Sequence, residues 1–261
     1  MTNTTPAERC LRAVLAGTLS LVLAVAPALA TAQTEPATMT SNAPASDTLS
    51  ARQQAIPLIA AAMASSDMAR LDAALNRGLD AGLSISEAKE VLVQLYAYAG
   101  FPKSLNALGE LMQVIEARKA RGIVDDPGRE PNRPIPTGEA LIAVGTANQT
   151  KISGGPVQNP ITDFAPVINQ YLQAHLFGDI FERDNLDWPS RELATVGALA
   201  AMPGVDAQLR SHLAASQRVG LSVAQLRQLV QVLADSGDAD AARRAGATLD
   251  QVLAQSPSPS P

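Results

Sequence analysis

The sequence predicts an all-α fold made of two diverged helical repeats. Apolar residues recur at helical spacing nearly throughout the chain, whereas no stretch shows the sustained alternation of a strand. A six-residue unit also occurs twice, at 82–87 as Gly-Leu-Ser-Ile-Ser-Glu and at 220–225 as Gly-Leu-Ser-Val-Ala-Gln. In both copies the Gly suits the left-handed position after a helix, and Ser with Glu or Gln three residues later forms a capping box. Each copy therefore marks a helix end followed at once by a helix start.

The helices of the first half follow from their apolar spacing. Leucines four residues apart indicate a helix over 71–79, and a second apolar stripe indicates one over 85–99. A third helix is expected from about 103 to 121. The sequence thus predicts three consecutive helices around the first copy of the repeated unit.

The second half carries clearer boundary signals. Asp187 can cap a helix that has Pro189 in its first turn, and the Met-Pro-Gly at 202–204 ends that helix. Two more helices are expected over 206–219 and 222–234. The order of helices around the second copy therefore resembles the order around the first.

The beginning of the chain is typical of a secretory signal peptide. Arg9 and Arg12 are followed by a short apolar stretch over 13–26 and by small residues that suit cleavage near Ala30 or Ala32. We therefore expect a periplasmic or secreted protein. The expected organisation is a signal peptide (1–32), a disordered tether (33–50), a first helical repeat (51–121), a Pro/Gly-rich linker (122–159) with a short hairpin as one interpretation of 138–153, a second repeat (160–250) and a disordered tail (251–261).

Composition excludes several classes of function. The formal net charge is −5 and only 3% of residues are aromatic, without a basic cluster, so nucleic acid and anionic membrane surfaces are poor partners. Cys10, inside the expected signal peptide, is the only cysteine, and there are two histidines, His175 and His212. After cleavage no thiol would remain, and a metal site is not expected. No phosphate-binding or dinucleotide-binding motif occurs, so we expect no cofactor.

Several short motifs of the two halves together carry a family resemblance. In the second half, Leu-Phe-Gly-Asp-Ile-Phe-Glu-Arg-Asp-Asn-Leu-Asp at 176–187 leads into Arg-Glu-Leu at 191–193 and then His212. The first half supplies Glu90 and Tyr-Ala-Gly-Phe-Pro at 98–102. Over roughly 50–120 and 160–235 the chain resembles the carboxymuconolactone decarboxylase family, which is related to the AhpD-type alkylhydroperoxidases.

The resemblance implies an AhpD-like helical bundle that assembles as a homo-oligomer of trimer or hexamer type. The two halves are incomplete copies: Gln228 stands at the position of Glu90, Ala74 or a neighbour at that of His212, and residues around 53–55 at that of Arg-Glu-Leu. AhpD-like members also carry a Cys-x-x-Cys pair before the His, for which this chain has residues at about 205 and 208. A thiol mechanism needs a thiolate, so peroxide reduction is disfavoured.

The candidate catalytic residues are His212, Glu192 and Glu90, and the candidate substrate-binding residues are Arg191 and Tyr98. His212 would donate a proton while Glu192 orients it, and Arg191 would grip a substrate carboxylate. Simpler interpretations remain: a buried hydrogen-bonded His, an acid favoured in the first turn of a helix, and an Arg paired with a nearby acid.

The remaining candidates also have simpler interpretations. Glu90 falls on the polar face of its helix, which either faces solvent or lines a pocket against the other half. Tyr98 can present a hydroxyl to a ligand, although packing is the commoner role. His175 is interpreted as a surface or packing residue.

Three functions follow from the sequence. The first is a cofactor-free decarboxylase or lyase acting on a small carboxylated, lactone-type metabolite. The alternative is a non-catalytic, oligomeric helical binding protein whose sites have decayed. The third, AhpD-like peroxidase activity, is the one that the missing thiols oppose most directly.

Overall fold

The structure is a computed structural model that describes residues 47–255, and over this range it consists of helices and loops without a strand. The predicted all-α fold is confirmed. Within the same range no helix combines the length and apolar character needed to cross a membrane. The expected signal peptide, most of the expected tether and the last six residues lie outside the described residues.

Two helices of the first half begin at serine caps; the cap at Ser84 was predicted, whereas the helix that follows Ser50 was not. Ser50 caps the first helix and Ser84 caps the third, each in a complete capping box. Gly82 has a φ of 84°, the left-handed conformation expected of the helix stop. The helices are α1 (Ala51–Ser65), α2 (Met68–Asp80), α3 (Ile85–Gln94), α4 (Tyr96–Ala99) and α5 (Phe101–Ala120).

The connection between the halves is extended at first and then helical. Residues 123–138 contain no helix, but the suggested hairpin over 138–153 is wrong, since most of that stretch forms a helix. Alanines and other strong helix formers recur along it, and Gly145 lets it pack closely on the segment around Gln173. The elements of this region are α6 (Glu139–Ser153), α7 (Pro160–Phe164), α8 (Pro166–Tyr171) and a π-helix (Leu172–Ile180).

The helices of the second half repeat the spacing of the first. Asp187 and Ser222 act as caps, as expected, and Gly220 has a φ of 106°. Three helices begin 138 residues after α2, α3 and α5 (206 − 68, for example). The last helix continues to residue 255, into the expected tail. These helices are α9 (Trp188–Ala201), α10 (Asp206–Arg218), α11 (Val223–Asp235) and α12 (Ala239–Gln255).

The two halves share one hydrophobic core centred on the crossing of α1 and α9. Both helices are almost entirely buried. Their backbones approach closely at Gly197, where an added Cβ would lie 2.6 Å from the Pro57 carbonyl oxygen. Side chains of both halves, from Leu71 to Leu249, belong to the same cluster. The first turns of α9 are therefore held against helices of the other half, and this positions the candidate site.

Candidate functional site

Arg191 and Glu192 enter the site from adjacent positions in the second turn of α9. Successive residues of an α-helix point about 100° apart, so the two side chains reach different neighbours. Arg191 bonds to side chains of α3, whereas Glu192 bonds to α10. The Arg-Glu pair consequently supports two adjoining polar clusters.

His212 and Glu192 form a hydrogen-bonded pair. His212 Nδ1 donates to Glu192 Oε2 at 2.9 Å, with the Glu192 side chain fully buried and that of His212 14% exposed. The expected pairing of these residues is therefore present. A bond at Nδ1 fixes the orientation of the ring and leaves Nε2 as the nitrogen available to a ligand.

Tyr98 packs beside this pair. Its ring meets that of His212 edge-on, with the centroids 5.4 Å apart. Its hydroxyl is buried beside Thr195 without a well-formed hydrogen bond. Burial, reinforced by the negative charge of Glu192, raises the pKa of Tyr98 far above its usual range. The phenol therefore stays neutral at all ordinary pH values and acts as a hydroxyl.

Glu90 does not lie on a solvated helix face. Its side chain is 1% exposed, and its carboxylate accepts hydrogen bonds from Arg191 Nη2 and Arg183 Nε, each at 2.9 Å at its shortest. The polar face of α3 packs against the second half, where Ser86 also accepts from Asn185. The solvent-facing interpretation of Glu90 is therefore wrong, and the face is buried between the halves.

Arg191 is fully enclosed by its partners. Besides Glu90, it donates to Gln94 Oε1 at 2.9 Å and to the carbonyl of Arg183 at 2.7 Å. Burial lowers the pKa of Arg191, and the charge of Glu90 opposes that shift. Its side chain has no exposed surface, so the expected grip on a substrate carboxylate lacks a free face in this chain.

The structure thus brings the five candidates together as two neighbouring clusters. His212, Glu192 and Tyr98 form one, and Glu90 with Arg191 forms the other. Gln94 joins them because its amide nitrogen donates to Thr195 Oγ1 at 2.9 Å. Sequence reasoning missed Arg183, Gln94 and Thr195 as parts of the site. Only the position of Arg183 inside the family-like motif at 176–187 could have drawn attention to it.

His212 lies on the wall of a pocket of about 620 Å³ between α6, α10 and α12. Two arginines of α10 reach this pocket, and neither has an acidic partner within the described chain. Arg210 donates to Gln251 at 2.9 Å, and Arg218 donates to the Ile152 carbonyl at 3.2 Å. The pocket therefore combines a positioned imidazole with two guanidinium groups that carry no neutralising carboxylate.

Three further observations concern the second histidine, metal ligands and the position expected for a thiol. His175 lies away from this pocket, 46% exposed and bonded to Asp179 at 2.8 Å. Over residues 47–255 no three His, Cys, Asp or Glu side chains are arranged to hold a metal ion. The position expected for the first thiol is occupied by Val205, which directly precedes α10.

Comparison with known families locates a match in the second half. Residues 166–252 match the sequence model of the carboxymuconolactone decarboxylase family. This segment, about a third of the chain, includes Arg191, Glu192 and His212 but neither Glu90 nor Tyr98. At the level of the family, the match suggests carboxymuconolactone decarboxylase-like or AhpD-like function for this segment. No curated protein matches the chain.

Proposed function

We propose that this protein is a cofactor-free carboxy-lyase acting on a small carboxylated, lactone-type metabolite. The observation that carries the proposal is the His212–Glu192 pair at the wall of a pocket that also holds Arg210 and Arg218. A buried carboxylate that orients an imidazole is a recurrent arrangement in proton transfer. The two arginines supply charge complementary to an anionic substrate.

In the proposed reaction the arginines bind carboxylate oxygens and His212 handles the proton. Loss of CO₂ breaks a carbon–carbon bond, and its electron pair enters an enolate conjugated with the lactone carbonyl. For this step His212 is protonated at both ring nitrogens: it delivers the Nε2 proton to the carbon that lost CO₂, keeps its Nδ1 hydrogen bond to Glu192, and regains a proton at Nε2 from solvent. Positive charge near the developing enolate lowers the barrier.

Arg191 takes a positioning role in this proposal instead of gripping the substrate. Its bonds to Glu90 and Gln94 fix the start of α9 against α3. Glu192 is the next residue, so the same contacts set the direction from which its carboxylate reaches His212. Tyr98 packs against the ring of His212 and limits its rotation.

The proposal is tested by following CO₂ release from a panel of carboxylated lactones. His212→Ala should lower kcat/KM by about 100-fold or more, the usual contribution of a general acid. His175→Ala, which removes the other histidine, is the matched control and should keep activity. Unchanged turnover in His212→Ala would remove the proposed acid. Substrate binding without turnover in the unaltered protein would favour the alternative, a non-catalytic binding protein.

Peroxide reduction has no support in the described chain, which contains no cysteine. Peroxidase activity is measured on the protein used for the lyase assay, with hydrogen peroxide and a dithiol reductant. Reduction that persists in Cys10→Ser would show a peroxidase mechanism other than the thiol one.

We also propose that the chain is a tandem repeat that self-associates. The equal spacing of three helix starts in the two halves supports the repeat. One face of α5 exposes Phe101, Leu105 and Met112, each more than 60% accessible, and this face suits contact with further copies. Sedimentation should show a trimer or hexamer that Leu105→Glu dissociates, and a monomer at all concentrations would contradict it.

Export stays a proposal based on the leader-like sequence at 1–32. Fractionation of cells that express the full chain tests it. Mature protein beginning near residue 31 or 33 in the periplasm or medium is expected. Unprocessed protein in the cytoplasm would overturn it.

A further inference from the structure

A second cavity, of about 210 Å³, lies in the first half between α1, α2 and the end of α11. Its wall is mostly apolar and is formed by Leu58 and several alanines. Two arginines of α2, Arg70 and Arg77, stand at its edge, about two helical turns apart on the same side of the helix. The remaining polar residues of the lining are Ser236 and Asp238.

This cavity occupies the position that the His212 cluster occupies in the second half. The offset of 138 residues between α2 and α10 relates Ala74 to His212, and the same offset relates Ser236 to Tyr98. Counted from the helix caps, Leu58 in α1 corresponds to Thr195 in α9. An imidazole and a phenol are thus replaced by a methyl and a hydroxymethyl group, and this loss of side-chain volume accounts for the open space.

The two arginines at the edge differ in their partners. Arg70 is bound by two acids, Asp67 at 2.9 Å and Asp238 at 3.1 Å. Arg77 is exposed, and within the described chain it has neither an acidic partner nor a side-chain hydrogen bond. Arg77 lies in the last turn of α2, where the helix dipole already favours a cation. The dipole does not explain why an apolar cavity lies beside this arginine. One uncompensated guanidinium therefore stands next to a space lined by methyl groups.

We propose that this cavity binds a small aliphatic monocarboxylate, with the alkyl chain on the alanine wall and the carboxylate on Arg77. A volume of about 210 Å³ lies below the roughly 300–1,000 Å³ of pockets for drug-sized ligands, so a short chain fits best. Neither His212 nor its pocket takes part. The inference is thus independent of the proposed lyase activity.

Titration calorimetry with hexanoate, octanoate and the uncharged octanamide tests the proposal on the purified full chain. Saturable binding of one octanoate per chain is expected, with octanamide much weaker. Arg77→Gln should weaken the binding of octanoate about tenfold or more, because it removes a charge-assisted hydrogen bond to the carboxylate. Arg243→Gln, an exposed arginine of α12, is the matched control and should bind normally. Ala73→Leu, at the edge of the cavity, should shorten the longest chain that binds.

Four outcomes would overturn the proposal. In the cavity itself, one is the absence of binding by either carboxylate. Another is equal affinity of Arg77→Gln and the unaltered protein for octanoate. The third is binding of several octanoates per chain that Ala73→Leu leaves unaffected, which would indicate detergent-like adsorption. Loss of octanoate binding in His212→Ala would assign the ligand to the other pocket and also contradict the inference.

Discussion

The two halves of the molecule have matching helix starts but different polar chemistry between them. Where the second half presents Arg191 and Glu192, α1 has Gln54 and Ala55 at the same distances from its N-cap. Gln228 and Ala74 stand at the positions of Glu90 and His212. The positions that the repeat relates to the candidate site, Gln54, Ala55, Ala74 and Gln228, thus lack its charged groups, although the caps and the apolar spacing are kept.

The side-chain amides of Gln54 and Gln228, here called the amide cluster, still make hydrogen bonds. Gln228 Oε1 accepts from the backbone of Leu49 at 2.6 Å, and Gln54 Nε2 donates to the Leu49 carbonyl at 2.9 Å. Both amides are partly buried, and there they satisfy hydrogen bonds without the cost of burying a charge. The comparison therefore teaches that this arrangement of helices does not require ion pairs, and the pairs that join Glu90 of the first half to Arg183 and Arg191 of the second point to a separate role.

When α1 and α9 are aligned by their N-caps, the offset between them differs by one residue from the 138 residues that separate the two copies of the repeated unit. Aligning the N-caps relates Arg191 to Gln54, whereas the constant offset of 138 relates it to Gln53. The reason is that the turn after α9 is two residues longer than the turn after α1, while α9 itself is one residue shorter. Counted from the N-caps, Arg-Glu-Leu thus corresponds to 54–56, one residue from the expected position around 53–55.

The largest difference between the halves is expected from Arg191→Met and its counterpart Gln54→Met. Removing Arg191 leaves Glu90 buried with Arg183 as its one remaining charged partner, and breaking a buried ion pair costs about 3–5 kcal/mol of unfolding free energy. Gln54→Met removes a neutral hydrogen bond and should cost about 1 kcal/mol. Urea denaturation of both variants measures this. Equal losses of unfolding free energy in the two variants would show that the Glu90–Arg191 cluster is no more important to the fold than the amide cluster.

A smaller effect is expected where α1 and α9 cross. Gly197→Ala places a methyl group against the Pro57 backbone and should cost about 1–3 kcal/mol by overpacking. The corresponding residue of α1 is Ala60, which is tolerated there and fully buried. Gly109→Ala in α5 is the control, because nothing lies within 4 Å of the added Cβ, and it should stabilise by about 0.5–1 kcal/mol. Thermal unfolding should therefore show a lower Tm for Gly197→Ala and a higher Tm for Gly109→Ala than for the unaltered protein.

The sequence predicted the features that depend on local chemistry. Capping by Ser84, Asp187 and Ser222 rests on side chains that bond to their own helix, so spacing alone reveals it. The inward position of His212 followed from its apolar neighbours on α10. The fold class and the boundaries of the helices around the two repeated units were therefore largely predictable, whereas α1 and α12 were not predicted.

Features that depend on contact between distant segments were not predictable. The polar face of α3 suits solvent as well as a polar partner, and only packing of the second half decides that Glu90 is buried. The burial of Arg191 depends on the same contact. Helix formation over 139–153 was obscured by the surrounding Pro and Gly residues, and the pocket beside His212 depends on how this helix meets α10.

The smallest effect concerns the feature that the two halves share. Ser84→Ala and Ser222→Ala each remove one complete capping box, and each should cost about 1 kcal/mol of unfolding free energy. Ser211→Ala is the control, since its hydroxyl bonds only to the Ala207 carbonyl of its own helix, and it should change stability by less than about 0.5 kcal/mol. Chemical denaturation of the three variants measures the losses.

The linker makes this test informative, because it covers one cap and not the other. The amides of Ile85 and Ser86 donate to the carbonyls of Asp126 and Pro127 at 2.9 and 3.1 Å, so α3 keeps these bonds without its cap. The loss in Ser84→Ala should therefore not exceed the loss in Ser222→Ala. A clearly larger loss at Ser84 would mean that the serine also holds the linker in place, and the two caps would then differ in function as the charged clusters do.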